Sequence, residues 1–529
     1  MSFTSPYPDV EIPAVNLYEF LFGGLTDDDL GRTALLDGAT GATTSYRELR
    51  EQIDAVAGAL AARGFGVGEV AAVHVPNTPA FAAVLHGVLR AGGTATPVHV
   101  LYTADEISKQ LRDSKARFLF TISLFLPQAA AAAATVGIPS EHIIVLDGAP
   151  GHESLADLLA ESRPAPHVTF DPAGHLAVLP YSSGTTGNPK GVMLTHRNLV
   201  ANICQVEPLT HIGAADRVMA VLPFFHIYGL TLLLNTTLRR RATLVTMLRY
   251  ELTEFLRITA EQRCTYLPIA PPIAVTLAKD PRVDDYDLSS VRVIMSGAAA
   301  LDAELANTVA ERLKCRVHQG YGMTEMSPAS HGIPEGRLDL PLGSIGITLP
   351  NIECKLVDTA TGIEITYPTE GLSAPGELCC KGPNIMPGYF GNDAATAETF
   401  DEQGFLRTGD IAVVDANGVV YLVDRVKELI KHKGYQVPPA ELEALLLTHP
   451  AIADAAVIGV KDADGEEIPK AFVVRQAGAE LDEGDVIGFV AERVAPYKKV
   501  RRVEFVDTIP KSMTGKILRK DLRQLESTR

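Results

Sequence analysis

Tyr181-Ser182-Ser183-Gly184-Thr185-Thr186-Gly187-Asn188-Pro189-Lys190-Gly191 gathers three glycines, four serine or threonine hydroxyls and one lysine into eleven residues, directly after the apolar stretch 176–180. Glycine permits the positive φ that aims successive backbone N–H groups at one point. The hydroxyls add donors and the lysine adds a charge, which is the make-up of a loop that holds a polyphosphate. It is not a Walker loop, because the spacing lacks four residues between glycines and a Gly-Lys-Ser/Thr end. An ordinary glycine–serine surface turn is the competing reading.

Four further clusters carry weaker signals. In Gln319-Gly320-Tyr321-Gly322-Met323-Thr324-Glu325, glycines around an aromatic let a flat base approach the backbone and stack. Thr324 could donate to a phosphate there, and Glu325 could hold Mg2+ through oxygen. In Arg407-Thr408-Gly409-Asp410, a carboxylate on a tight loop can accept both hydrogens of a ribose diol. Residues 424–436, which include Asp424, Arg425, Lys427, Lys431, Lys433, Gly434 and Gln436, read equally well as a solvated basic face. Pro510-Lys511-Ser512-Met513-Thr514-Gly515-Lys516 places a lysine after a Thr-Gly turn, where a soluble tail is the plain alternative.

The chain that must position these residues has 529 of them, enough for three or four cores at about 150 residues each. Hydrophobic residues at 46% and charged residues at 21% describe a globular chain and exclude a mostly disordered one. Lys and Arg number 47 against 64 Asp and Glu, a net charge of −17. The average field therefore repels phosphates, which argues against a general nucleic-acid or anionic-membrane binder and leaves any phosphate ligand to a local site. Residues 1–16 contain Asp9 and Glu11 and no basic flank before an apolar run, so no secretory signal is expected. No stretch approaches the ~20 apolar residues of a membrane span. Cys204, Cys264, Cys315, Cys354, Cys379 and Cys380 are scattered without zinc-like pairing and read as reduced core thiols of a cytoplasmic protein. The C-terminal Ser527-Thr528-Arg529 carries no peroxisomal or retention address. An excess of arginine over lysine and abundant alanine hint at a GC-rich bacterial source.

Helix-like and strand-like stretches alternate along most of the chain. Apolar spacing predicts helices over 46–62 and 79–89 and strands over 70–75 and 117–122, an alternation that argues α/β architecture with largely parallel sheets. The texture changes near Ile411. Stretches 411–414 and 419–423 flank Asn417-Gly418, a strong hairpin pair. Beyond it follow a helix over 439–447, a strand over 455–460, an acidic turn over 462–467, a strand over 471–474, a helix over 485–494 and a strand over 502–506. That set makes a compact α+β unit, with a boundary expected near 424–427.

Taken together and in this order, the five clusters resemble the adenylate-forming superfamily of acyl-CoA synthetases, peptide-synthetase adenylation domains and beetle luciferases, over residues 44–520. Within it, Pro223-Phe224-Phe225-His226-Ile227-Tyr228, Ser296-Gly297-Ala298-Ala299 and residues 423–436 look most like 4-coumarate:CoA ligases and bacterial cinnamate:CoA ligase relatives. The resemblance implies an α/β fold: a large N-terminal domain of β-sheets flanked by helices, 1–424, and a small mobile α+β lid, 425–529, with a hinge near Lys427. It implies two half-reactions. A carboxylate attacks the α-phosphate of MgATP to give acyl-AMP and pyrophosphate, and the thiol of coenzyme A then displaces AMP.

By the same resemblance, Ser182, Ser183, Gly184, Thr185, Thr186, Gly187 and Lys190 would cradle the β- and γ-phosphates. Thr324 would contact the α-phosphate and Glu325 would hold Mg2+. Gly297, Ala298, Ala299, Gln319, Gly320 and Tyr321 would flank adenine, and Asp410 and Arg425 would bind the ribose. Lys516 would bridge carboxylate and α-phosphate, a fitting task for a preorganised cation between two anions. Lys431, Gly434 and Gln436 would enter the site after rotation, and His226 would guard the acyl site. The basic run Lys498, Lys499, Arg501 and Arg502 is either a solvated face or a contact for the 3′-phosphate of coenzyme A.

The residues 224–228 carry no carboxylate to pair a substrate ammonium, so a simple carboxylic acid is favoured over an amino acid. The resemblance maps the acyl pocket to Tyr228, Gly297, Gly322, Pro328 and Ala329, where small residues would leave room for a flat ring or chain. Plant 4-coumarate ligases have proline where Ala300 stands and Ala-Gly-Pro-Val where this chain has Met326-Ser327-Pro328-Ala329, followed by His331. These departures alter the pocket floor; the resemblance implies an arylpropenoic acid such as cinnamate or 4-coumarate, with a medium-chain fatty acid as alternative. An acyl carrier protein as thiol acceptor and a non-catalytic nucleotide-binding protein are the other readings. The partners implied are the acid, ATP and coenzyme A, with monomer or homodimer left open.

Overall fold

The structure is a computed structural model that describes residues 2–182, 189–432, 435–462, 466–512 and 515–527, with Tyr435, Gln436 and Ser527 described by their backbone alone. Residues up to Arg425 build two large sheets with helices between and around them. One sheet has a parallel centre made of Leu176–Val178, Thr94–Pro97, Val70–Val73, Ala116–Thr121 and Ile143–Val145. The expected helices form as Tyr46–Ala62 and Pro79–Arg90. Ser45 and Glu48 close a reciprocal cap on the first. The two helices cross so closely that a Cβ on Gly87 would lie 2.4 Å from Val56.

The second sheet has fourteen strands. Thr243–Thr246, Arg217–Ala220, Tyr266–Ile269, Val293–Ser296 and Arg316–Gly322 run parallel, and Ser296 stands opposite both Ile269 and Gln319. The loops that begin at Ala270 and Gly297 therefore emerge side by side at carboxyl strand ends, beside Gly320, where α/β sheets commonly open a ligand crevice. From Ala329–Gly332 onward the same sheet becomes antiparallel through Gly346–Thr348, Val419–Arg425, Leu406–Val414, Gly376–Lys381 and Glu353–Val357. The expectation of largely parallel sheets thus covers only part of the molecule. Links such as the Asn417-Gly418 turn are too short for the crossover that a parallel pair needs.

The remaining residues form a smaller body with its own core. Ile452–Lys461 pairs antiparallel with Glu467–Arg475, which pairs parallel with Arg502–Phe505. Beyond an irregularity between Ile452 and Asp454, the first strand alternates with a period of two. Ala455 and Val457 join a cluster with Leu442, Leu446 and Val486, while Ala456 and Ile458 face Phe472 and Leu522. Helices Pro439–Leu447, Glu483–Ala491 and Arg519–Ser527 cover the two faces. The expected acidic turn over 462–467 falls partly outside the described residues, and Glu467 already belongs to a strand. All six cysteines are free, five of them buried and Cys315 half-buried. Among the described residues no helix is long and apolar enough to cross a membrane.

Candidate active site

Tyr181–Ser182 pairs with the start of Lys190–Thr195, setting Ser182 opposite Lys190 and Tyr181 opposite Gly191. A Cβ on Gly191 would come within 3.1 Å of the Tyr181 ring, so glycine lets the stems of the loop close. Ser183, Gly184, Thr185, Thr186, Gly187 and, further on, Gly434 lie outside the described residues. Ser182 and Lys190 frame the loop's mouth, and the Lys190 ammonium lies over the Tyr389 ring, 4.7 Å from its centroid.

Thr324 and Glu325 sit in the single turn Thr324–Met326. Glu325 is 6% exposed, and the Tyr389 hydroxyl donates to its Oε1 at 2.8 Å. Buried amides clamp the surrounding backbone. Asn202 donates to the Ala329 carbonyl at 2.8 Å and accepts the Ala329 N–H at 3.1 Å. Asn384 donates to the carbonyls of Met326 and Ala329 at 2.8 and 3.0 Å. Pro328 and Ala329 thereby share one clamped turn with Thr324 and Glu325.

Tyr228 begins a wide, π-type helical stretch, Tyr228–Asn235, of a kind frequent at functional sites. Its hydroxyl donates to the Met295 carbonyl at 3.2 Å, and burial pushes its phenol well up. A Cβ on Gly297 would lie 2.6 Å from this ring, and one on Gly322 only 2.1 Å from the Pro328 carbonyl. The two glycines therefore seat a ring and a neighbouring strand; they do not simply leave open space, as their small size suggested. His331 likewise turns away into a polar core. Its ring meets Ser330 Oγ at 3.0 Å and Thr348 Oγ1 at 3.2 Å.

Gly320 and Tyr321 pair with Gly332 and His331, and a Cβ on Gly320 would press on Met295 at 2.9 Å. Gln319 is buried and bonded to backbone: its Oε1 accepts from Leu301 N–H at 3.1 Å and its Nε2 donates to the Leu301 and Leu342 carbonyls. Its amide thus holds the loop of Gly297, Ala298 and Ala299, in which Ala298 has a φ of 71°. Asp410 is 6% exposed. It accepts from the Tyr321 hydroxyl at 2.6 Å and from Arg425 Nε at 3.1 Å, and Asp410 and Arg425 are partners across the hairpin. Each carboxylate oxygen retains a second lone-pair direction for a diol. Burial first, and then the Asp410 charge, hold the Tyr321 phenol far above its usual range.

Lys516 arrives from the smaller body and lies half-buried. Burial and the neighbouring Arg425 guanidinium lower its pKa to about 8, while Asp410 works the other way. His226 feels Lys516 in turn. Burial, then His99 and Lys516, lower its pKa to about 4 and keep it neutral. The loop carrying Lys516 is fastened on both sides, by Lys511 to Asp454 at 2.7 Å and by Arg519 to Glu443 at 2.7 Å. Gly515, with a φ of 81°, passes so close that a Cβ would lie 2.6 Å from Pro272. Lys427 and Lys431 are exposed, and the Lys431 N–H donates to Glu467 at 2.7 Å. In the basic run, Lys498 is paired with Glu441 at 2.6 Å and Arg501 folds back onto the carbonyls of Lys499 and Pro496.

The described residues thus gather Lys190 and Glu325 about Tyr389, and Tyr321 and Arg425 about the Asp410 carboxylate, with Lys516 close enough to feel both Arg425 and Asp410. The profile described as AMP-binding enzyme matches residues 27–390, and that of the AMP-binding enzyme C-terminal domain matches residues 441–516. The chain belongs to the AMP-binding enzyme family. A 4-coumarate–CoA ligase of Pinus taeda is 40% identical, covering 98% of this chain and 97% of the relative. 4-coumarate–CoA ligase 3 of Oryza sativa subsp. japonica is 39% identical over 98% of this chain and 94% of its own. Among solved structures, ATP-bound MatB from Rhodopseudomonas palustris superposes with a TM-score of 0.87 at 30% identity, covering 96% of this chain and 98% of that one. A benzoate CoA ligase from Burkholderia xenovorans LB400 gives 0.86 at 27% identity, covering 96% and 100%. For an AMP-binding enzyme the C-terminal match ends on Lys516 itself. Tyr389, Asn202 and Asn384 are the site residues that sequence reasoning missed. Tyr389 lies 64 residues beyond Glu325, and no spacing rule links the two.

Proposed function

We propose that this AMP-binding enzyme is an ATP-dependent carboxylic acid:CoA ligase that works through an acyl-AMP intermediate. The observation that carries the reading is Lys516, delivered by the smaller body to the edge of the Asp410–Arg425 pair. A substrate carboxylate and the α-phosphate of ATP repel one another, and a fixed cation between them offsets that repulsion and the charge of the transition state. The residues 182–190 receive the outer phosphates, Thr324 receives the α-phosphate, and the loop 297–299 with Tyr321 flanks the base. Asp410 and Arg425 take the ribose hydroxyls.

Glu325 suits Mg2+. It is a buried carboxylate with Oε1 already oriented by Tyr389. Among the described residues no three His, Cys, Asp or Glu side chains form a cage, a pattern that fits an ion shared between one carboxylate and substrate phosphates. When bound, that ion supplies further neutralisation of phosphate charge.

After adenylation the body formed by 425–529 turns about Lys427. Lys516 leaves, and Lys431, Gly434 and Gln436 enter for attack by the thiol of coenzyme A, with neutral His226 beside the acyl group. The domains of this reading are 1–424 and 425–529, in a cytoplasmic enzyme. The acid is an arylpropenoic acid such as cinnamate or 4-coumarate. Support comes from the names of the relatives, from the lack of a carboxylate at 224–228 and from the flat Tyr228 ring seated on Gly297. Incubation with ATP, coenzyme A and a panel of cinnamate, 4-coumarate, benzoate and medium-chain fatty acids tests it. The expected products are AMP, pyrophosphate and an arylpropenoyl thioester. Release of ADP and phosphate, or turnover confined to fatty acids, would contradict it.

A further inference from the structure

Tyr389 touches two site residues of opposite charge. Its hydroxyl donates to Glu325 Oε1 at 2.8 Å, and its ring lies under the Lys190 ammonium at 4.7 Å. A tyrosine suits both contacts at once, since the ring face is negative and the hydroxyl hydrogen is positive. Its backbone is pinned. Gly388–Tyr389 pairs with the strand of Lys190, Val192 opposite Tyr389 and Met193 opposite Gly388. The Tyr389 N–H donates to Thr396 Oγ1 at 2.9 Å, and the Phe390 N–H to the Gly191 carbonyl at 2.8 Å. Tyr389 is 7% exposed, so little water competes for either contact.

We propose that Tyr389 is a positioning residue that holds Lys190 and Glu325 apart and aims them separately, the lysine at phosphate and the carboxylate at the metal ion. Without the ring under Lys190 and the hydroxyl on Glu325, the cation and the carboxylate are free to pair with each other, which would remove both from the ligand. The proposal rests on the reading of Glu325 as the Mg2+-holding residue, and its test separates the two.

Mn2+ is titrated, with electron paramagnetic resonance as readout, into wild type, Y389F, E325Q and the double variant, each saturated with a non-hydrolysable ATP analogue. Y389F keeps the ring and removes the hydroxyl. It is expected to weaken Mn2+ binding about tenfold, the scale for a hydrogen bond behind a metal ligand. The double variant is expected to be no weaker than E325Q, because the hydroxyl acts only through that carboxylate. Analogue binding without metal is expected to be unchanged in Y389F and several-fold weaker in Y389L, where Lys190 loses its seat. Weakening in E325Q with no change in Y389F, or additive losses in the double variant, overturns the positioning proposal alone. No change in E325Q overturns the metal reading together with it.

Discussion

Lys516 keeps its positive charge only below a pKa lowered to about 8 by burial and Arg425, and this sets a sign. Adenylation needs the protonated amine, so kcat/KM for the acid-dependent step is expected to be flat below that pH and to fall as pH rises through about 8, since this parameter reports the free enzyme. K516R, which cannot lose its charge in this range, is expected to be slower but to show no such limb. K516A is expected to lose about 100- to 1000-fold in adenylation while thiolysis of supplied acyl-AMP stays within a few-fold. Separate rapid-quench measurements of the half-reactions check both. The charged and hydroxylic residues were legible because their types and order already state a chemistry. The partners that tune them were not. Tyr228 bonds to a backbone carbonyl 67 residues away, Gln319 holds the neighbouring loop, and no side-chain pattern advertises a bond to the main chain.

Among the elements, the turn containing Thr324, Glu325, Pro328 and Ala329 depends on buried amides from two distant segments. Asn202→Ala removes the acceptor of the Ala329 N–H while Asn384 still holds the Ala329 carbonyl. One buried donor left unpaired is expected to cost about 1–3 kcal/mol, read by chemical denaturation. Because the proposed acyl pocket includes Pro328 and Ala329 of this turn, KM for the acid is expected to rise more than KM for ATP. Helix 46–62 was legible to the residue, since amphipathic spacing and the Ser45–Glu48 cap define it locally, and helix 439–447 was legible from its apolar run after Pro438 and Pro439, although Asp424 from outside caps its first turn. The antiparallel run from Ala329 to Arg425 was legible mainly at Asn417-Gly418. Its other strands are short, and their pairing is decided by distant neighbours such as Phe3–Thr4 on Glu353–Val357.

At the scale of the molecule, the acidic chain carries Lys516, the cation that the proposed reaction needs, on a separate smaller body. That body docks through Gly515 against Pro272. G515A would add a Cβ into that contact and would place alanine in left-handed backbone, at about 1–2 kcal/mol. Adenylation is expected to fall about tenfold and thiolysis much less, because in the proposed cycle thiolysis follows withdrawal of this body; single-turnover assays of each half-reaction separate the two. The basic run Lys498, Lys499, Arg501 and Arg502 was legible from sequence, but the pairing of Lys498 with Glu441 was not, because it joins residues 57 apart across the fold. The most direct test of the whole account is ATP–pyrophosphate exchange by the intact enzyme without coenzyme A. The account predicts exchange that requires cinnamate or 4-coumarate and ceases in K516A. ATP binding with no exchange for any acid, or exchange untouched by K516A, would contradict it.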